Sequence, residues 1–222
     1  MKADFWHERW KKGQIGFHNE EANAHLIRHW PGLDIERLAT VFVPLCGKSL
    51  DMRWLRERGH PVIGIDLSPI AIRSFFEEAG LKPATTRAGP LERFSAGGFD
   101  LRCGDLFDLE KEDLHAVRGC YDRGALVALP PDLRRRYVDH LARILPERVT
   151  ILLITVEYDQ SKMPGPPHSV PPAEVEALYG GEFEVDPLWS SGWLEASPHF
   201  RERGLDVRRD HVFRLDRGSR TS

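Results

Sequence analysis

The chain has 222 residues, 31 basic against 34 acidic, a net charge of −3 and 41% hydrophobic residues, values that suit one soluble α/β domain with a substantial core. There is no basic excess, so nucleic acid is not the expected partner, and no apolar run approaches the roughly 20 residues that cross a bilayer, so no membrane partner is expected either. The N-terminus carries acids and lacks the apolar block of a signal peptide, which places the expected compartment in the cytosol.

Phe5, Trp6 and Trp10 share one helical face within residues 3–12, and Gly13 ends it. Residues 14–19 read as loop. Asn19 is expected to cap a helix through Ala22, Leu26, Ile27 and Trp30, which Pro31-Gly32 stops. Residues 1–35 therefore form an N-terminal helical lid ahead of the first strand. Alternation then begins, with strands at 40–44, 61–65, 99–103, 117–121 and 150–156 and helices at 49–58, 69–79 and 132–145. Ser68 followed by Pro69 is a strong helix start, a cap with proline at the first helical position. Residues 84–95 fit neither period. Such alternation implies right-handed crossovers and a mostly parallel sheet.

Five prolines fall between Met163 and Pro172, so this segment is neither helix nor central strand. It reads as a stiff loop at the carboxyl end of the fifth strand, the edge where ligands sit in open α/β sheets. A short helix at 172–179 and a closing antiparallel pair at 183–188 and 206–215 follow. Residues 217–222 are expected to be a disordered tail. The whole reads as a single domain, and with no apolar helix face left over, as a monomer.

The most informative stretch is Val41-Phe42-Val43-Pro44-Leu45-Cys46-Gly47-Lys48-Ser49-Leu50-Asp51-Met52, with Val62-Ile63-Gly64-Ile65-Asp66 behind it. A buried strand, a tight turn and a helix lead to a second strand that ends in an acid nineteen residues beyond Gly47. That layout binds a nucleoside, with Asp66 for the ribose hydroxyls. Gly47-Lys48-Ser49 imitates a phosphate loop, but Phe42 stands where that motif needs glycine. A nicotinamide site wants three glycines in the turn, and only Gly47 is there. The expected cofactor is a nucleoside without a pyrophosphate, S-adenosylmethionine.

Leu106 and Phe107, after the strand at 99–103, are the natural wall for the adenine, or plain core. Asp122 and Arg123 end the strand at 117–121 on the ligand edge, as a structural ion pair or as the anion-stabilising group, for which Arg123 is the first choice. The cysteines Cys46, Cys103 and Cys120 lack paired metal spacing and read as reduced core residues; by position only Cys46 is a candidate nucleophile. His25 and His29 are at helical spacing but lack further ligands, so no metal is expected. Trp10 and Phe17 flank a loop, where aromatic side chains suit flat substrates and sulfonium cations.

Four segments together resemble thiopurine S-methyltransferases of bacterial type: Trp6-His7-Glu8-Arg9-Trp10 with Gly16-Phe17-His18, Pro44 to Met52, Cys120-Tyr121-Asp122-Arg123-Gly124-Ala125-Leu126, and Pro164-Gly165-Pro166-Pro167. The resemblance spans nearly the whole chain. It implies a class I methyltransferase fold, Rossmann-like, with a seven-stranded, mostly parallel sheet whose last strand is antiparallel. It also implies methyl transfer from S-adenosylmethionine to sulfur, with S-adenosylhomocysteine as product. Carried over by position, Trp10, Leu45, Asp66 and Arg123 match cofactor contacts, Leu106 lies beside the adenine, and Phe17 covers the substrate. Asp66 stands where many members have glutamate, and His168 where mammalian members have an aromatic, which puts His168 at the substrate pocket.

The expected acceptor is a small aromatic or heterocyclic thiol. Arg123 supports the thiolate, and Asp122 or the lid takes up the proton. Two alternatives stand beside this: methylation of selenium or tellurium species or small endogenous thiols in detoxification, and a non-catalytic S-adenosylmethionine sensor.

Overall fold

The computed structural model describes residues 3–13 and 21–218. Strands β1 (Thr40–Val43), β2 (Val62–Asp66), β5 (Phe99–Cys103), β6 (Val117–Asp122) and β7 (Val149–Glu157) run parallel, and β10 (Val207–Arg217) is antiparallel to β7 and to β8 (Glu184–Ser190). Across the sheet the order is β5–β2–β1–β6–β7–β10–β8. This is the expected seven-stranded core with its one reversed strand. The sheet is extended beyond it by a hairpin, β3 (Ala84–Ala88) and β4 (Leu91–Ala96), that pairs antiparallel onto β5, and by the two-residue β9 (Leu194–Glu195) beside β10.

β1 and all but the last residue of β7 are nearly continuous apolar runs because both faces are covered. Alternate side chains go to opposite sides. Phe42, Cys120, Ile151, Leu153 and Phe213 pack with Tyr137, Val138, Leu141 and Ile144 of helix α5 (Pro131–Ile144). Val41, Val43, Leu101, Leu152 and Val212 pack on the other side, with Met52, Trp54 and Leu55 of α3 (Leu50–Glu57) and Ile72, Phe75 and Phe76 of α4 (Pro69–Glu78). Each such side chain, fully buried, contributes about 1.5–3 kcal/mol. Ser68 caps α4 as its sequence indicates, its hydroxyl accepting from the Ala71 N–H at 3.4 Å.

The N-terminal segment holds α1 (Ala3–Lys11) and α2 (Ala24–His29), followed by a 3-10 turn over Trp30–Leu33. The N-cap of α2 is Asn23, whose Oδ1 accepts from the His25 and Leu26 N–H groups at 2.9 and 3.4 Å. It is not Asn19, which lies outside the described residues: Asn23 stands immediately before the helix with the extended backbone a cap requires. The carboxyl-terminal expectation is also corrected at Arg217. It is the last residue of β10, pairs with Val149, and its guanidinium donates to the carbonyls of Leu145, at 3.0 Å, and Ala142. Residues 219–222 lie outside the described residues.

After β7 the proline-rich chain forms neither helix nor strand until α6 (Pro172–Tyr179). Tyr158 and Gln160 hold it together. The Tyr158 hydroxyl donates to the Pro167 carbonyl at 2.6 Å, and the Gln160 amide bridges Met163 O and Ser169 N at 2.6 and 2.8 Å. A four-residue helix, α7 (Pro198–Arg201), precedes β10.

Candidate active site

A cavity of about 870 Å³ opens at the carboxyl ends of β1, β2, β6 and β7. Its floor is the turn between β1 and α3, and α1 lies over it. Leu45 and Gly47 adopt left-handed backbone, with φ of 45° and 53°. Gly47 suits this place twice over: at that φ a side chain is strained, and a Cβ there would stand 3.3 Å from the Trp10 ring, a tight contact. Gly64 in β2 lets the turn fold back, since its Cβ would meet both Cys46 Sγ and Leu101 Cδ2 at 2.8 Å. A non-glycine residue such as Leu45 in this conformation stores strain, which concentrates at binding sites.

Asp66 ends β2 on the cavity wall, 9% exposed. One carboxylate oxygen accepts from the Gly47 N–H at 2.9 Å and the other from the Ser68 N–H at 2.8 Å. Burial still wins over these two hydrogen bonds and raises its pKa to about 6. A carboxylate has about four lone-pair sites, so each oxygen keeps one for a hydroxyl. His7, from α1, reaches the Leu67 carbonyl at 3.0 Å just beyond Asp66. Trp10, 7% exposed, and Leu45 are on the same wall.

Arg123 faces the cavity from the end of β6. Its Nη2 donates to Asp51 Oδ2 at 3.3 Å, and the Tyr121 hydroxyl donates to the same oxygen at 3.0 Å. Asp122 is elsewhere. It is 1% exposed and absent from the cavity wall. One oxygen accepts from the Ala125 and Leu126 N–H groups at 2.9 and 3.2 Å, the other from the Tyr137 hydroxyl at 2.7 Å. Adjacent residues on a strand point to opposite faces, so Asp122 does not face the cavity with Arg123, and instead fixes the turn that carries Arg123.

Leu106 is core, 4% exposed and behind the wall, its carbonyl accepting from His140 Nε2 at 2.9 Å. His168 also stands back from the wall. Its ring packs where a Gly165 Cβ would be, 2.5 Å from Nδ1, and burial followed by Arg134 lowers its pKa. Pro166 and Pro167 line the cavity in its place. Phe17 lies outside the described residues. Cys46 borders the cavity, but burial, then the Asp66 charge, pushes its thiol well up, so it is not the thiolate a nucleophile needs. Burial raises Cys103 to about 11 and Cys120 well above its usual value. His25 packs on Trp189 with ring centroids 4.7 Å apart and stacks on His29 at 6.1 Å.

Several wall residues were not singled out from sequence. Asp51 and Tyr121 stand in the motifs quoted above with no role of their own. Arg203, Arg208 and Asp210 come from the chain's last fifth, brought across by β10, and Arg9 comes from α1. Arg208 pairs with Asp210 at 3.1 Å, and Arg203 donates to Pro166 O and Gly165 O at 3.0 and 3.3 Å. The wall thus carries the Asp66 carboxylate, the guanidiniums of Arg9, Arg123, Arg203 and Arg208, and the indole rings of Trp6 and Trp10.

Thr155, on the wall and 2% exposed, has a hydroxyl with no partner among the described residues. Removing an unsatisfied buried hydroxyl relieves about 1–3 kcal/mol of desolvation. Thr155→Val is therefore expected to unfold at higher denaturant concentration than the parent; an unchanged or lower midpoint means the hydroxyl is satisfied in solution.

Comparison with known proteins places these features in context. The family model described as thiopurine S-methyltransferase matches residues 1–218. The thiopurine S-methyltransferase of Nitrosospira multiformis is 46% identical over 215 residues, covering 97% of this chain and 98% of that one. That of Pseudomonas aeruginosa is 43% identical over 218 residues, 98% and 100% of the two chains. Among solved structures, a methyltransferase from Anabaena variabilis superposes with a TM-score of 0.65 at 14% identity, covering 97% of this chain and 94% of that one. The Burkholderia thailandensis 1,6-didemethyltoxoflavin-N1-methyltransferase, solved with S-adenosylhomocysteine, does so with 0.63 at 18% identity, covering 96% and 87%. At such identities the two structures bear on fold alone, which is that of class I methyltransferases.

Proposed function

The chain belongs to the thiopurine S-methyltransferase family, and we propose that it carries the family's reaction, methyl transfer from S-adenosylmethionine to the sulfur of an aromatic or heterocyclic thiol. One observation carries the assignment to this cavity: Asp66, at the end of β2, is tied to the Gly47 N–H across the first turn and keeps lone pairs for two ribose hydroxyls.

The site fits the cofactor on its own chemistry. The Leu45–Gly47 turn offers backbone at close range, Trp10 closes over it, and indole faces attract a sulfonium cation. Bound there, S-adenosylmethionine supplies an activated methyl group. The protein's part is alignment and charge. Trp10, Leu45, Asp66 and Arg123 hold the cofactor. Arg123 lowers the pKa of the acceptor thiol so that it enters as thiolate. Asp122 and Leu106 support this set from behind, Asp122 through the turn and Leu106 by backing the adenine wall. The site makes no use of Asp122 as proton acceptor, since it is buried behind the cavity wall. The lid of residues 1–35 excludes water, with Phe17 over the acceptor. His168 acts through the Pro166-Pro167 wall it supports.

Arg9, Arg203 and Arg208 on the wall favour an acceptor bearing negative charge. That observation keeps a second reading, methylation of selenium or tellurium oxyanions or of small endogenous thiols in detoxification. Single-domain organisation, a monomeric state and a cytosolic location complete the proposal; no helix among the described residues is long and apolar enough to cross a membrane.

The test is radiolabelled methyl transfer to 6-mercaptopurine, with selenite, tellurite and small thiols in parallel, and cofactor binding by calorimetry. Transfer to 6-mercaptopurine supports the first reading. Cofactor binding with transfer only to the oxyanions or small thiols moves the protein to the second. Absence of cofactor binding sinks both.

A further inference from the structure

Asp51 is 1% exposed, yet it borders the cavity. Local reasons place an acid there. It is the second residue of α3, its N–H donates to the Ser49 hydroxyl at 3.2 Å, and negative charge suits the first turn of a helix. Those reasons account for an exposed acid and not for a buried one, which is costly unless well partnered.

The partners come from three separate parts of the chain. Oδ1 accepts from the backbone N–H of Asn23, the cap of α2, at 2.7 Å. Oδ2 accepts from the Tyr121 hydroxyl at 3.0 Å and from Arg123 Nη2 at 3.3 Å. Burial, then the Asp51 charge, pushes the Tyr121 phenol well above its usual value, so it stays protonated and donates. Arg123 also bonds to the Tyr121 oxygen, which closes a triangle of carboxylate, phenol and guanidinium. The side chain of Asp51 is 2% exposed and that of Arg123 22%. The pair is therefore sealed at its acidic end and open to the cavity at its basic end.

An arginine beside an open cavity has many rotamers, and ordering it costs entropy. The buried carboxylate fixes one of them before the acceptor arrives. We propose that Asp51 is a positioning residue, which aims the Arg123 guanidinium at the acceptor sulfur and, through Asn23, makes that aim depend on the docked N-terminal segment. The inference rests on Arg123 supporting the thiolate in the methyl transfer proposed above.

Asp51→Asn tests it. An amide has one acceptor oxygen where the carboxylate has two, so an oxygen turned to Asn23 presents an NH2 to Tyr121 and Arg123. Misaligning a catalytic group in this way costs about 100-fold, so kcat is expected to fall by that factor, while KM for S-adenosylmethionine moves no further than it does in Arg123→Ala. In a double-mutant cycle with Arg123→Ala, the double variant is expected to be no slower than Arg123→Ala alone, because both changes remove the same function. Asp51→Glu, which keeps both oxygens and the charge, is expected to recover most of the rate.

A purely structural role gives losses that multiply, and that result overturns the proposal, as does an Asp51→Asn enzyme at parental kcat. If Asp51→Asn does not fold, Tyr121→Phe, which leaves the ring in the core, takes its place in the cycle with the same expected non-additivity. Nitrogen NMR of the arginine side chains separates this inference from the reaction beneath it. Slow rotation of the Arg123 guanidinium is expected in the parent and averaging in the variant, whether or not a given acceptor is methylated. An Arg123 signal already averaged in the parent overturns the proposal, whereas absence of methyl transfer with restricted rotation overturns only the reaction.

Discussion

Asp66→Ala is expected to bind S-adenosylmethionine about 100-fold more weakly than the parent, a loss of about 2.7 kcal/mol. Hydrogen bonds to a charged group contribute about 1.5–3 kcal/mol each, and the ribose has two hydroxyls to offer. Alanine also strips the Gly47 and Ser68 N–H groups of their partner, so Asp66→Asn, which keeps one acceptor, is the control for damage to the turn. The pH dependence is the sharper measurement. The hydroxyls donate to the ionised carboxylate, whose pKa without cofactor is about 6. Below that value binding must first expel a proton, so affinity falls tenfold per pH unit. Above it affinity is level. Calorimetry on either side of pH 6, in buffers of different ionisation heat, detects the released proton. Affinity that is flat through this range, with no proton release, removes Asp66 from the ribose site.

The same shift has an unusual consequence for stability. A salt-bridged carboxylate has its folded pKa depressed and loses stability in acid. Asp66 is the reverse: its folded value, about 6, lies above the ordinary carboxylate value of 3.8. Between the two, the native state holds more protons than the unfolded chain, so this group's contribution favours the folded state toward acid and weakens it as pH rises through 6. A site that is costly to keep ionised when empty is relieved when two hydroxyls reach the charge, which is why the cofactor is expected to stabilise the fold more at neutral pH than at pH 5.

How far the sequence alone reads this molecule depends on how local each cause is. The strands β1, β2, β6 and β7 were legible because a parallel strand buried on both faces is a plain apolar run. Asp66 was legible because the strand ends on it. The hairpin of β3 and β4 was not, because an edge pair buries little: Thr85, Thr86 and Arg87 face solvent and, among the hairpin's described side chains, only Leu91 and Phe94 are buried. Asp122 and Arg123 stand together at the carboxyl end of β6, yet which of the two faces the cavity depends on the strand's facing, and that is set by what Cys120 and Tyr121 bury. Asp51 carries no signal of its tertiary partners, since an acid at the start of a helix needs none. Arg203 and Arg208 carried no signal at all, since only the reversed strand β10 brings them to a turn some 160 residues earlier in the chain.

Arg123→Ala is expected to lower kcat about 100-fold, the cost of removing one preorganised charge from a site of this kind. The loss should depend on the acceptor. Methyl transfer from a sulfonium consumes a thiolate, and a guanidinium beside the sulfur lowers the thiol's pKa in the bound state. Without it, the acidic limb of the pH–rate profile moves to higher pH. Far above the thiol's own pKa the acceptor arrives ionised, and there the variant should lose least. Across a series of aromatic thiols, the penalty should therefore grow as the thiol becomes less acidic. Arg123→Lys separates charge from aim: it keeps the cation but loses the planar fork that Asp51 and Tyr121 grip. A lysine enzyme with the parental profile shape and reduced kcat assigns Arg123's effect on the limb to charge and the remaining loss to alignment. A profile that keeps its shape and position in the alanine variant, with every thiol slowed alike, shows that Arg123 holds the cofactor and does not support the thiolate.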